Sequence, residues 1–514
     1  MSTSLSHLCE LAGGVLHNVE HDAAEALTIS DIGLDSTTLA PQALFAALPG
    51  TSRHGAVFAA DTQAAAVLTD AQGAEIISAA GLAMPLIVVD NVRTVLGKVS
   101  AAVYDYPSQE LTIIGVTGTS GKTTTSYLLE AGLMAAGAHV GLIGTTGTRI
   151  NGQAIPTSLT TPEAPTLQAL FRRMVNEGVS HVVMEVSSHA LVLGRVSGTE
   201  FDAAGFSNLS QDHLDFHETM EEYFSAKALF FDPDSALHAQ KSVICVDDQW
   251  GEKMAALASA PMRVGLDTYA HDEPLDLVAC DIKSSVQGTQ RFSLKDNVHN
   301  RVYSVELPLP GLFNVANATL ACGLALAVGI DPHAFLQGVS QVSVPGRMQK
   351  IDCGQDFLAV VDYAHKPAAV AAVLDTVRAQ ITGRLAVVVG AGGDRDAAKR
   401  PIMGQEAAQR ADYVIITDDN PRSEPPAAIR QAVLEGAYNG QRQRREAGEE
   451  VTVAEIGDRR EAIAAAISWA RTGDAVVIAG KGHEVGQLIN GVNHHFSDSE
   501  EVTAALHQRE KNNA

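Results

Sequence analysis

Basic residues are in short supply: 36 lysines and arginines stand against 60 aspartates and glutamates, a formal net charge of −24. This deficit excludes general adhesion to nucleic acid or to an anionic membrane, so any anionic ligand must be held by basic groups gathered locally. Cysteine is scarce as well. The five present, Cys9, Cys245, Cys280, Cys322 and Cys353, are scattered without the spacing of a metal site. No apolar run of membrane length and no signal peptide stand out, so no membrane insertion and a reducing cytoplasm are expected.

What the chain does have is length. At 514 residues it exceeds what one hydrophobic core usually organises, and its 46% hydrophobic and 19% charged residues describe an ordinary globular protein. Disorder is expected only at residues 511–514. Many of the 44 glycines read as strand-to-helix turns. An α/β fold in three domains fits the layout: a small α/β domain over 1–108, a central parallel-sheet domain over 109–345 and a Rossmann-like domain over 346–514. Apolar runs at 56–60 and 85–90 mark the first. Asn151-Gly152 signals a hairpin, and the alternation at 301–307 suggests antiparallel strands on the flank of the second.

The most informative stretch is Thr117-Gly-Thr-Ser-Gly-Lys-Thr-Thr124, which follows the apolar run 111–116 and opens a helix that Gly137 should end. It reads as a phosphate cradle of the kind seen in P-loop ATPases. Gly118 and Gly121 let backbone N–H groups of Thr119 and Ser120 approach phosphate oxygens, Lys122 supplies a point charge, and the hydroxyl of Thr123 or Thr124 can reach Mg²⁺. Val116 stands where the usual form has its first glycine. A tight turn with an exposed lysine is the plainer alternative.

In the last third, four apolar strands each end in polar residues: at Asp362, at Gly390-Ala-Gly-Gly-Asp-Arg395, at Thr417-Asp-Asp-Asn-Pro-Arg422 and at Gly480-Lys-Gly-His-Glu484. In an open parallel sheet such ends share one edge, where ligands bind. Taken singly, each cluster could be a solvated loop.

With these residues in hand, the chain resembles the ATP-dependent Mur ligases of peptidoglycan synthesis along nearly its whole length, and within them the MurE group of tripeptide synthetases. The marks are the Lys122 loop, Leu159-Thr-Thr-Pro162, Met184-Glu-Val-Ser-Ser-His-Ala-Leu191, Asp212-His-Leu-Asp-Phe-His217, Tyr223-Phe-Ser-Ala-Lys227, Gly311-Leu-Phe-Asn-Val-Ala-Asn317, Asp362-Tyr-Ala-His-Lys-Pro367 and Asp419-Asn-Pro-Arg422. The resemblance implies that ATP phosphorylates the D-glutamate carboxylate of UDP-N-acetylmuramoyl-L-alanyl-D-glutamate and that the amine of meso-diaminopimelate then displaces phosphate. Small molecules are the expected partners, and a monomer is expected.

Residue roles follow from the same resemblance. Glu185 and Thr123 would hold Mg²⁺, with His213 at a second metal; on sequence alone His213 reads as a satisfied loop histidine. Lys227 alone reads as a solvated helix position, whereas the matching family lysine is carbamylated by CO₂ and so bears oxygen toward the metal. Thr160, Thr161, Ser187 and Arg195 match positions that hold the muramoyl-dipeptide. Asn314 and Asn317 match an adenine-side role, Arg347 a phosphate role and Asp362 a ribose role. Selectivity for the amino acid would rest on Arg395, Asp419, Asn420, Pro421, Arg422, Gly480 and Glu484. The far end of diaminopimelate carries a carboxylate and an ammonium, for which Arg422 and Glu484 offer a cation and an acceptor. An enzyme adding lysine should lack that arginine, since burying it unpaired is costly. In the first domain Ser36 is a candidate uridine contact, although Thr37 and Gln42 depart from the family pattern. Two alternatives remain at this point: lysine addition by the same machinery, and a P-loop nucleotide switch that ligates nothing.

Overall fold

The computed structural model describes residues 3–50, 52–155, 157, 159–212, 216–285 and 288–513, so His213 lies outside the described residues. The fold is α/β and is organised by three sheets that follow one another along the chain. The first has five strands in the order Val15–His17, Leu86–Val88, Ala66–Thr69, Ala43–Ala46, Asp31–Gly33, parallel except for the first pair. Of the two apolar runs that mark this region in the sequence, Leu86–Val88 is a strand, whereas Gly55–Phe58 forms a 3-10 turn.

The second sheet has eleven strands among the described residues. At its centre Thr112–Thr117 lies between His181–Glu185 and Ala203–Phe206, parallel to both. Its apolar residues divide by the period of two. Ile114 and Val116 face a core shared with the helices Lys122–Ala135 and Leu312–Ala327, while Ile113 faces one shared with Ala164–Asn176 and Met220–Ala228. Both faces are covered, which is why the strand's interior, residues 113–116, carries no polar side chain. One edge carries the hairpin Gly147–Ile150 and Gln153–Ile155, turned at Asn151 and Gly152. The other edge ends in the antiparallel strands Leu277–Ser284, Gln290–Asp296 and Arg301–Leu307.

The third sheet runs Gln349–Lys350, Leu358–Asp362, Ala475–Ala479, Leu385–Val389, Tyr413–Ile416, Thr452–Glu455, and all but the first strand are parallel. The last parallel strand in sequence thus sits inside the sheet, between two much earlier ones. Helices Pro367–Arg378, Lys399–Arg410 and Pro426–Glu446 cover one face, and Arg459–Trp469 with the terminal helix Asp498–Asn513 cover the other. A fully buried ion pair, Arg459 Nε to Asp498 Oδ1 at 2.7 Å, joins those last two helices, and Arg459 Nη2 also donates to the carbonyl of Ala479 at 3.0 Å.

Candidate active site

The turn after Thr112–Thr117 needs its glycines. Gly118 and Gly121 have φ of 139° and 91°, which bulkier residues rarely adopt. A Cβ on Gly121 would also lie 2.2 Å from Asn317 Oδ1. Asn317 therefore stands against the phosphate loop itself, tied to Asn314, whose Oδ1 accepts from Asn317 Nδ2 at 3.2 Å. Lys122 Nζ folds back onto the loop and donates to the carbonyls of Gly118 at 2.8 Å and Thr119 at 3.1 Å.

Cations crowd around this loop. Lys227 lies on Met220–Ala228, a helix started by Thr219 Oγ1 accepting from Glu222 N–H and by Glu222 accepting in return from Glu218 N–H. Its side chain is 1% exposed and donates to the carbonyl of Gly118 at 3.0 Å. Arg347 Nη2 lies 3.4 Å from Thr123 Oγ1, and its guanidinium stacks on Tyr363; its Nε is buried with no hydrogen-bond partner among the described residues. Lys366 reaches in from the third sheet and pairs with Asp212 at 2.6 Å. Burial, aided by Lys366, lowers Lys122 to about 8, and burial with the nearby Lys122 and Lys366 holds Lys227 well below the ordinary lysine value. Asp362 is pushed upward by burial against the pull of Arg347, and its oxygens accept from the N–H groups of Met348 and Ala364.

Glu185 ends its strand beside this cluster, 1% exposed, with its oxygens held by the N–H and hydroxyl of Thr145, each at 2.9 Å. Thr161 Oγ1 donates to the carbonyl of Glu185 at 2.8 Å and accepts from Ser187 N–H at 3.2 Å. Ser187 in turn caps the short helix Ser188–Val192 through Ala190 N–H. Arg195 is paired with Glu163 at 2.8 Å, and the same carboxylate meets Arg93 at 3.2 Å. Carboxylate and hydroxyl oxygens facing one cavity are the donor set a hard divalent cation such as Mg²⁺ requires, so Thr123 and Glu185 fit that ion.

A cavity of about 760 Å³ gathers Thr119 to Thr124, Thr160, Thr161, Glu185, Ser187, Arg195, Asn314, Asn317, Arg347, Asp362 and Arg395. A second, of about 750 Å³, is walled on one side by the hairpin strand residues Thr148, Ala154 and Ile155 and on the other by Asn420, Arg422, His483, Glu484 and Leu488. Thr145 lines both. In the second cavity Asn420 Nδ2 donates to Glu484 Oε2 at 2.8 Å, and the fully buried Lys481 donates to Asn420 Oδ1 at 3.0 Å. Arg422 Nη1 donates to the carbonyl of Gly393 at 2.7 Å.

Some expected residues stand elsewhere. Arg395 is exposed and lines the first cavity, not the second. Ser36 is buried in the first sheet's loops and lines neither. Asp419, Pro421 and Gly480 are buried just behind the second cavity; a Cβ on Gly480 would lie 2.6 Å from Asp419 Oδ2. Sequence reasoning assigned no role to Lys366, Asp212, Thr145, Lys481 or His483. Asp212, Lys366, Lys481 and His483 lie inside motifs it quoted, which was the available signal; Thr145 lies in none.

Comparisons with known proteins bear on these cavities. Residues 116–325 match the Mur ligase middle domain, and residues 346–482 match the Mur ligase, glutamate ligase domain. The UDP-N-acetylmuramoyl-L-alanyl-D-glutamate–2,6-diaminopimelate ligase of Corynebacterium glutamicum is 60% identical over 513 residues, covering 98% of each chain. Its namesake from Corynebacterium efficiens is 60% identical over 510 residues, 98% of this chain and 95% of that one. A solved structure of a ligase of the same name superposes with a TM-score of 0.66 at 34% identity, covering 99% of this chain and 100% of the other. No helix among the described residues is long and apolar enough to cross a membrane.

Proposed function

The chain belongs to the Mur ligase family, and from that membership we propose that it joins meso-2,6-diaminopimelate to UDP-N-acetylmuramoyl-L-alanyl-D-glutamate, coupled to cleavage of ATP to ADP and phosphate. One observation carries the reading: Thr145 lines both the phosphate loop cavity and the Asn420–Arg422–Glu484 cavity, which sets the place for an electrophile next to the place for an amine.

A carboxylate is a poor electrophile. In the first step an oxygen of the D-glutamate carboxylate bonds to the γ-phosphorus while the bond from that phosphorus to the bridging oxygen breaks, its electron pair leaving on ADP. In the second, the amine nitrogen bonds to the acyl carbon, loses a proton, and phosphate departs with the electrons of the carbon–oxygen bond. Bringing two anions together is the main obstacle, and oriented cations are the main remedy. Lys122 and Arg347 serve the phosphates, and the Thr160, Thr161, Ser187 and Arg195 group serves the dipeptide. Thr123 and Glu185 would hold Mg²⁺, which neutralises phosphate charge when bound.

Lys227 completes that set as a carbamate. Its nitrogen bonds to the carbon of CO₂ and gives up a proton, which requires a neutral amine, and the depressed affinity of Lys227 for protons favours that form. The product turns one of several crowded cations into an anion with oxygens to offer. Intact mass under neutral conditions should show one added CO₂ that acid removes. Arg422 and Glu484 grip the far carboxylate and ammonium of diaminopimelate. Two of the three substrates, ATP and the UDP-linked dipeptide, are nucleotides of the cytoplasm, which supports a cytoplasmic site of action; a monomer in three domains, 1–108, 109–345 and 346–514, completes the proposal.

A panel of amino acids assayed by phosphate release tests the whole reading. Release should need both the muramoyl-dipeptide and meso-diaminopimelate, with L-lysine far poorer. Turnover of ATP without either would reveal a nucleotide switch instead.

A further inference from the structure

We propose that Lys366 is a catalytic residue of phosphoryl transfer, a cation that the third sheet delivers onto the outermost phosphate of ATP. The inference rests on the ligase reading above and names a group that reading did not use. Lys366 is the N-cap residue of the helix Pro367–Arg378, just past the strand Leu358–Asp362. From there its Nζ crosses to the phosphate loop, 3.4 Å from the carbonyl oxygen of Thr119 and 2.6 Å from Asp212 Oδ2. Lys366 and Asp212 side chains are each 12% exposed, and both residues line the nucleotide cavity.

The carbonyl of Thr119 is also the acceptor of Lys122. Two ammonium groups therefore converge on one oxygen, with the Arg347 guanidinium close by. Like charges so placed repel: beyond the effect of burial, Lys366 lowers the proton affinity of Lys122 even with the carboxylates of Glu185 and Asp212 nearby. A ligand that spreads several negative charges over its equatorial oxygens relieves that repulsion, and a transferring phosphoryl group has this property. Asp212 then acts as the holder that keeps Lys366 in place until nucleotide arrives. Burial lowers the proton affinity of Lys366, and the Asp212 carboxylate at 2.6 Å works against that loss.

Binding distinguishes this contact from a mere latch between sheets. In Lys366→Gln, whose amide can still bond Asp212, affinity for the β,γ-imido analogue of ATP should fall about tenfold or more, while affinity for ADP, which lacks the outer phosphate, stays within about threefold. Turnover should drop roughly a hundredfold with the KM for diaminopimelate changed by less than about twofold, and Lys366→Arg should recover part of it. If Lys366→Gln is unstable, the double variant Asp212→Asn with Lys366→Gln removes the uncompensated carboxylate and is measured in the same way. Equal losses for ADP and the analogue, or unchanged turnover, would overturn the proposal. Wild-type protein that binds nucleotide but never forms the peptide would defeat the ligase reading instead, and the ADP-to-analogue comparison would still report on Lys366.

Discussion

Arg422 holds a left-handed backbone, φ 54°, that costs a non-glycine residue energy, and Asp394 across the loop does likewise at 52°. The strain is held by neighbours: Arg422 N–H donates to the carbonyl of Leu488, and Asn490 N–H donates to that of Arg422. Since those bonds are backbone bonds, Arg422→Ala removes the guanidinium without releasing the turn. It should raise the KM for meso-diaminopimelate about a hundredfold and leave that for ATP within about twofold, as steady-state kinetics would show. His483 carries a different prediction. Its Nε2–H donates to the carbonyl of Thr145 at 3.3 Å, while Nδ1 is buried with no hydrogen-bond partner among the described residues, and burial with the nearby Arg347 lowers the ring to about 4. An unfolded histidine binds its proton near 6.5, so between about 6.5 and about 4 the unfolded chain holds more protons and stability falls as pH falls, by a few kcal/mol at most. Acid unfolding of His483→Gln, followed by circular dichroism, should show a shallower loss over that window.

Single elements show what sequence can and cannot reveal. The phosphate loop was legible because its glycines and lysine act through local geometry, whereas Glu185 drew notice only through the family resemblance. The helix Met220–Ala228 was not: Tyr223, Phe224, Ala226, Lys227 and Ala228 are all buried, so no polar stripe marks which way Lys227 points. Contacts between distant elements leave even less trace. Lys366 meets Thr119 across 247 residues and His483 meets Thr145 across 338, and no local spacing encodes either. The terminal helix is tied by Arg459 and Asp498, each with a side chain that is 0% exposed. Removing one partner strands a buried charge, so Asp498→Asn should cost about 3–5 kcal/mol by denaturant unfolding. The double variant Arg459→Met with Asp498→Leu should recover most of that loss.

On the scale of the whole molecule, the three sheets were legible as α/β segments, and the four loaded strand ends do share an edge. Their meeting with the second sheet was not, because it depends on how separate cores dock. Arg347 with Thr123, Lys366 with Asp212 and His483 with Thr145 all span that junction. Adding the β,γ-imido analogue of ATP should therefore slow amide hydrogen exchange over 117–125 and over 362–370 together; protection limited to the first stretch would mean the junction is open in solution. The position of Ala475–Ala479 inside the third sheet has a consequence for biosynthesis. A ribosome releases this strand long after its two neighbours, yet Leu358–Asp362 and Leu385–Val389 have no edge-to-edge bond without it. The nascent chain must keep two half-sheets apart and unpaired for about a hundred codons, at the 5–20 residues per second typical of synthesis. A premature stop would leave a gap in the middle of that layer, not a shortened rim, and quality-control proteases would meet an exposed seam.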